Sequence, residues 1–151
     1  MELTSLKVVG SIRKLVIRHG DIIDGIEVHY EDQLVKRHGS RQENRTNNII
    51  FEIEPEDYLV AVKGKTAQWF GGKHIAQLTF YTKNGKISDI CGNLNYCTDI
   101  KDEINFQANN EEEIIGFYGA TVPVDYKKQG KDFYPVISAI GVIYRTRESE
   151  E

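Results

Sequence analysis

The chain has 151 residues, of which 40% are apolar and 28% are charged, and these values fit one globular domain spanning residues 1–151. The net charge is −4, so charge gives the chain no general attraction to nucleic acid or to an anionic membrane surface. No apolar run approaches the roughly 20 residues that a membrane-spanning helix needs, so membrane insertion is not expected.

The first ten residues, M-E-L-T-S-L-K-V-V-G, predict a short edge strand and lack the long apolar centre of a signal peptide. The chain as given is therefore expected to be cytoplasmic. It would be secreted if it is a domain cut from a larger precursor, with Met1 added. Two cysteines, Cys91 and Cys97, are too few for a disulfide framework, and both are expected to be reduced.

Three stretches of the sequence share one pattern: a strand, a turn or loop, and a second strand. In residues 12–30, apolar and polar residues alternate on both sides of the turn H-G-D-I-I-D-G. Gly20 and Gly25 allow the positive φ that such turns use. The same pattern returns at residues 58–82 and at residues 114–146. We therefore expect three similar sheets around a common core.

The remaining segments predict shorter strands separated by polar loops. Further strands are expected at residues 34–39, 48–54, 86–91 and 104–107. The third of these is the return strand of a hairpin turned by Asn84-Gly85. Loops are expected at residues 40–48, 63–73 and 122–132, with a frayed tail at residues 147–151. No stretch keeps a helical period, so the fold class is all-β, with about twelve short strands.

Four motifs occur in a fixed order along the chain. They are I-R-K-L-V-I-R-H-G-D-I-I-D-G-I-E-V-H-Y, the pair D-Y-L-V-A-V-K-G and H-I-A-Q-L-T-F-Y-T-K-N-G, then I-I-G-F-Y-G-A, and last A-I-G-V-I-Y. In order and spacing they resemble the jacalin-related lectin domain over residues 11–146. The resemblance implies a β-prism of three antiparallel four-stranded sheets with pseudo-threefold symmetry.

The resemblance also implies a shallow site for mannose- or galactose-type sugars at one end of the prism. Family members build this site from an N-terminal glycine-rich segment, from the loop before the strand that here begins at His74, and from a G-x-x-x-D motif before the A-I-G strand. The aspartate of that motif accepts hydrogen bonds from sugar hydroxyls, and backbone N–H groups supply the donors.

This sequence departs from the family pattern at two of the three elements. Counting back from A-I-G at residues 139–141, the aspartate position falls on Ser138 and the glycine position on Tyr134. Residues 1–9 contain no glycine, so the N-terminal element is also missing. A serine lacks the charge that strengthens a carboxylate–hydroxyl contact. We therefore expect a degenerate site whose monosaccharide binding is absent or no tighter than millimolar.

Aromatic and acidic residues in the other two loops are candidates for ligand contact. Trp69 and Phe70 offer flat platforms for the apolar face of a sugar ring, while the alternative for Trp69 is that it covers the core. Asp125 or Asp132 would supply the missing acceptor, unless both are solvated loop charges. The predicted ligand-binding residues are Trp69, Phe70, Gly72, Lys73, Asp125, Asp132, Phe133, Tyr134 and Ser138.

The sequence contains no catalytic constellation and no metal-ligand spacing, so neither enzyme activity nor a cofactor is expected. The first functional hypothesis is a carbohydrate-binding, lectin-like module with a weakened or altered sugar site. The second is a protein–protein interaction or targeting domain, appended to an enzyme such as a peptidase, that uses the prism as a scaffold without binding sugar. The partner is accordingly a glycan or a protein, and assembly into a homo-oligomer stays open.

Overall fold

The computed structural model describes residues 10–40, 47–124 and 134–147. Within these ranges the chain forms nine β-strands and no helix. The strands are β1 Ile12–His19, β2 Ile23–Tyr30, β3 Val35–Gly39, β4 Asn47–Glu52, β5 Leu59–Trp69, β6 Gly72–Thr82, β7 Thr98–Gln107, β8 Glu112–Val124 and β9 Tyr134–Thr146. A helix able to cross a membrane is accordingly absent from this described part of the chain.

The strands form three antiparallel sheets. Their strand orders within the described ranges are β3-β2-β1-β4, β6-β5-β7 and β8-β9. Each sheet is built on one of the three strand pairs that the sequence predicts, because β1 pairs with β2, β5 with β6 and β8 with β9. The all-β fold and its threefold pattern are therefore confirmed, and the architecture is that of a β-prism.

The main core lies where the apolar faces of the three sheets meet. Leu15, Ile17 and Val28 are fully buried because strand alternation turns them to the same side of the first sheet. Phe80 of the second sheet packs edge-on against Phe117 of the third, with ring centroids 6.2 Å apart. Full burial of each such side chain stabilises the fold by roughly 1.5–3 kcal/mol. The core therefore ties all three sheets together.

A second, smaller apolar cluster closes one end of the prism. It contains the turn between β1 and β2, the ends of β5 and β6, and the ends of β8 and β9 that adjoin residues 125–133. Its buried members are Ile22, Ala67, Trp69, Ala76, Val124 and Val136. The turns of the first two strand pairs and the adjoining ends of β8 and β9 therefore lie at the same end of the molecule, which we call the turn end.

At the opposite end, a buried carboxylate connects distant parts of the chain. Glu113 Oε1 accepts hydrogen bonds from Arg145 Nη2 at 2.8 Å, from Arg147 Nη1 at 3.0 Å and from Ser11 Oγ at 3.2 Å. The Arg147 guanidinium also lies 3.9 Å from the ring centroid of Tyr58. This cluster, which we call the carboxylate clasp, joins residues before β1, both strands of the third sheet and the start of the second.

Two predicted loops are wrong in their extent. Strand β5 continues to Trp69 and β6 begins at Gly72, so the predicted loop at 63–73 shrinks to the turn Phe70-Gly71. Strand β5 is central and pairs with both β6 and β7, so backbone hydrogen bonds hold its polar half without an apolar face. Strand β8 likewise extends to Val124, inside the predicted loop at 122–132.

The predicted return strand at residues 86–91 is also wrong, because this segment makes only two isolated bridges, Tyr81↔Ile87 and Leu78↔Cys91. Cys91 and Cys97 are both free thiols in the structure. Burial, with a smaller contribution from Asp89, raises the pKa of Cys91 to about 12. The predictions for residues 1–9, 41–46, 125–132 and 148–151 lie outside the described residues.

Candidate functional site at the turn end

Trp69 fills the turn end instead of lining its surface. Only 6% of the residue is exposed. Its Nε1 donates a hydrogen bond to Asp21 Oδ2 at 3.0 Å, and its ring packs edge-on against Phe70 and His74. The prediction of an exposed indole platform is therefore wrong, and the alternative is observed: Trp69 covers the core. The indole is large enough to close the small cluster, and a carboxylate satisfies its N–H.

Phe70 is exposed and does not stand alone. It occupies the two-residue turn between β5 and β6 with φ of 43°, and 45% of it is exposed. Tyr96, which is 80% exposed, lies beside it, with ring centroids 6.1 Å apart. The aromatic surface at the turn end is thus the pair Phe70 and Tyr96. Sequence reasoning missed Tyr96, because the polar segment around it carries no strand pattern.

The other predicted residues of this turn have different roles. An alanine at Gly72 would bring its Cβ within 2.9 Å of His74 Nε2, so Gly72 is needed for the packing of that ring. Lys73 is exposed, but its Nζ pairs with Glu103 Oε2 of β7 at 2.7 Å. Gly72 and Lys73 therefore have local contacts that explain them without a ligand.

Ser138 lies inside strand β9, where the pairing with β8 is shifted between Ala120 and Thr121. Its Oγ donates a hydrogen bond to the Ala120 carbonyl oxygen at 3.3 Å. Tyr134 begins β9 opposite Val124, and its backbone alone is described. Asp125, Asp132 and Phe133 lie outside the described residues. Their proposed contact with a ligand stays a prediction.

The start of β2 places a carboxylate beside an open glycine of the turn that precedes it. A Cβ built on Gly20 would lie 3.9 Å from Asp24 Oδ2, and no other atom of the described residues, chain neighbours aside, would lie within 4 Å of it. Asp24 itself is 4% exposed. The carboxylate oxygen therefore borders the space above Gly20, where the absence of a side chain lets another molecule approach.

Two neighbouring segments hold this turn in place. Asn93 N–H donates to the Gly20 carbonyl oxygen at 2.9 Å, and Leu94 N–H donates to that of Asp21 at 2.8 Å. Trp69 binds the side chain of Asp21 from the second sheet. The same contacts bring Phe70, the next residue after Trp69, and Tyr96, two residues after Leu94, to the side of the turn.

Sequence reasoning treated Gly20 and Asp24 as ordinary turn residues. The signal for a site was present, because G-D-I-I-D at residues 20–24 has the G-x-x-x-D spacing. Asp24 stands directly before G-I-E-V in β2, as Ser138 stands directly before A-I-G in β9. The pairs β1–β2 and β8–β9 share the strand–turn–strand pattern, and the G-x-x-x-D spacing that is missing at Ser138 in the third pair is present in the first.

Burial lowers the pKa of both histidines at the turn end. Burial lowers the pKa of His74, an effect that the backbone of Trp69 partly offsets, and burial also lowers the pKa of His19. Within the described ranges, no group of three or more His, Cys, Asp or Glu side chains is placed to hold a metal ion. The histidines are therefore neutral packing residues at neutral pH.

These lowered pKa values predict acid sensitivity. Below the ordinary histidine pKa of 6.5, the unfolded chain binds protons that buried His19 and His74 bind only at lower pH. The free energy of unfolding should therefore fall as the pH drops from about 7.5 to about 5.5. Urea unfolding at both pH values measures it, and His74→Gln should reduce the difference. Equal or greater stability at the lower pH would contradict this expectation.

Comparison with known proteins assigns the class of the molecule. The chain belongs to the Jacalin-like lectin domain family, whose model matches residues 4–125. No curated protein sequence matches the chain.

Solved lectin structures share its fold. Frutapin, a lectin from Artocarpus incisa, has a TM-score of 0.66 and 22% identity, covering 89% of this chain and 82% of that chain. Artocarpin, a lectin with mannose specificity, has a TM-score of 0.67 and 20% identity, covering 92% and 86%. Frutalin from Artocarpus incisa, in complex with galactose, has a TM-score of 0.67 and 17% identity, covering 92% and 95%. At these identities the likeness shows the fold.

Proposed function

We propose that the chain is a carbohydrate-binding module and not an enzyme, and that its sugar site lies at the turn of residues 20–24. The observation that carries this proposal is the Asp24 carboxylate beside the open face of Gly20. The site is altered relative to the family pattern, since its acceptor comes from the first sheet and not from the position of Ser138.

The chemistry of the turn suits a neutral sugar. An ionised carboxylate accepts hydrogen bonds from sugar hydroxyls, and such charge-assisted bonds are stronger than neutral ones. Exposed Phe70 and Tyr96 offer flat apolar surfaces to the C–H face of the same or a neighbouring ring. The mannose specificity of artocarpin and the galactose bound to frutalin support a hexose of one of these two types.

We expect weak binding. Asp24 is largely covered, so its carboxylate offers few lone pairs to a ligand. A single shallow contact of this kind corresponds to a dissociation constant in the millimolar range, about −4 kcal/mol.

Gly20→Ala should weaken sugar binding by at least about tenfold. The added methyl group would occupy the space beside Asp24 Oδ2, while the backbone of Gly20 lies outside the left-handed region and tolerates alanine. Titration of the wild type and the variant with methyl mannoside and methyl galactoside, followed by NMR, measures the effect.

Ser138→Ala is the matched control that tests where the sugar binds. We expect it to bind sugar like the wild type, because the Ser138 hydroxyl is already bonded to Ala120. Binding that survives Gly20→Ala but is lost in Ser138→Ala would place the site in the third sheet. Micromolar affinity of the wild type for either sugar would contradict the weak site proposed here.

A second candidate function is a protein-binding scaffold. The observation that favours it is the exposed aromatic pair Phe70 and Tyr96, because such side chains are enriched at protein interfaces. A glycan array separates the two functions, since a scaffold of this kind would bind no glycan on it while a lectin module would bind several related ones.

A further inference from the structure

A cavity of about 300 Å³ opens between the edge strand β3 and the β8–β9 pair. Its inner wall is apolar and includes Ile26, Phe117 and Ile137, which are buried. Its mouth is polar and includes Arg37, His38, Tyr118 and Thr121. The volume lies at the lower end of the range for small-molecule sites. None of the residues of the sugar site at 20–24 lines it.

Arg37 is the charged side chain among the residues that line this cavity. Glu27 Oε2 accepts a hydrogen bond from Arg18 at 3.1 Å, and Arg37 Nε lies 3.6 Å from the same oxygen. Burial alone would raise the pKa of Glu27. Arg18, His29 and Arg37 together outweigh burial, so the pKa is lowered and this carboxylate is ionised. The Glu27 carboxylate, which does not line the cavity, thus pairs with both Arg18 and Arg37, and Lys36 stands next to Arg37 on β3.

His38 adds hydrogen-bonding capacity without charge. Burial, and to a smaller extent the charge of Lys36, lower the pKa of His38, so its ring is neutral at neutral pH. The chain as a whole has a net charge of −4, which makes the basic run K-R-H on β3 a local exception. An anionic group would therefore meet Arg37 as its main partner at this mouth.

Glycines leave space in the cavity and allow the ring of Tyr118 to pack at its mouth. Gly39 and Gly119 line it without side chains, in backbone conformations with φ of 80° and 155° that favour glycine. A Cβ built on Gly141 would lie 2.3 Å from Tyr118 Cζ, so the tyrosine ring lies across β9 at this glycine. Tyr118 is 62% exposed and presents a flat surface at the mouth.

We propose that this cavity binds a small anion with a flat apolar ring system. The ring would enter against the apolar wall and Tyr118, and its anionic group would bind Arg37. A free sugar is a poor fit, because no Asp or Glu lines the cavity to accept its many hydroxyl protons. The ligand class thus differs from that of the turn end.

Anilinonaphthalene sulfonate has this chemistry and is the probe for the test. The wild type should bind it saturably, with one molecule per chain, and added salt should weaken binding by screening the sulfonate from Arg37. Arg37→Gln should weaken binding by about tenfold. Ala139→Leu should abolish it, since Ala139 is an exposed lining residue and the added atoms would fill the cavity.

Two controls make the result decisive. Lys83→Gln removes one positive charge at an exposed position away from the cavity and should bind the probe like the wild type. Excess methyl mannoside should leave probe binding unchanged, so the result does not depend on the sugar site. If both cavity variants unfold at the same urea concentration as the wild type, each of them is folded. The proposal is overturned if the wild type shows no saturable binding, or if either cavity variant binds like the wild type.

Discussion

Gly92→Ala is expected to lower the free energy of unfolding by at least about 3 kcal/mol. Gly92 has φ of +103°, a conformation that side chains disfavour, and a Cβ there would lie 2.0 Å from the Ala76 carbonyl oxygen. The Gly92 N–H also donates to His19 Nδ1 at 3.0 Å. The chain must therefore move away from β6 to accept the alanine.

Gly85→Ala separates the clash from the backbone cost. Gly85 has a similar φ of +92°, but no atom of the described residues, chain neighbours aside, lies within 4 Å of the position of its Cβ. Its replacement should cost only about 1–2 kcal/mol. Urea unfolding of the two variants measures the difference, and equal losses would show that the contact with Ala76 is unimportant. Because Asn93 and Leu94 hold residues 20 and 21, Gly92→Ala should also weaken sugar binding.

Glu113→Gln is the second large effect, with an expected loss of about 3 kcal/mol. The side chain of Glu113 is 2% exposed, and its Oε1 is the common acceptor for two arginines and a serine. A neutral amide leaves the two guanidinium groups without a counter-charge at this position. We place the loss at the lower end of the range for broken buried pairs, because Arg145 and Arg147 are 27% and 36% exposed.

Glu111→Gln is the matched control for the carboxylate clasp. It makes the same change in net charge two residues away, where the side chain is exposed, and should alter stability by less than about 0.5 kcal/mol. Urea unfolding at moderate salt measures both variants. Similar midpoints for the two would mean that the clasp contributes only through overall charge.

The fold could be predicted because its information is local. Alternation of apolar and polar residues marks β1, β2 and β6 directly, and each apolar residue of the alternation is buried. The polar half of β5, from Lys63 to Gln68, has no such mark. Its strand conformation comes from pairing with β6, its hairpin partner, and with β7, which is distant in sequence. Prediction failed where long-range hydrogen bonds replace a local apolar pattern.

The candidate site was harder to predict than the fold. The exposure of an aromatic residue depends on what packs against it, and the sequence could not show that Asp21 would bind Trp69 and turn it inward. The spacing of Gly20 and Asp24 was visible, but its meaning depends on the open space above Gly20. Comparing the three strand pairs with one another would have found this second motif, whereas comparing only the third pair with the family could not.

The burial of Trp69 also allows the turn end to be followed by tryptophan fluorescence. It is the only tryptophan in the chain, so emission excited at wavelengths that tryptophan absorbs and tyrosine does not comes from this one indole. The indole N–H bonds Asp21, three residues from Asp24, and the ring touches Phe70. Anything that displaces the turn changes the surroundings of this single tryptophan. The molecule thus carries its own label at the place where binding is proposed, and unmodified protein can report occupancy by a change in emission wavelength.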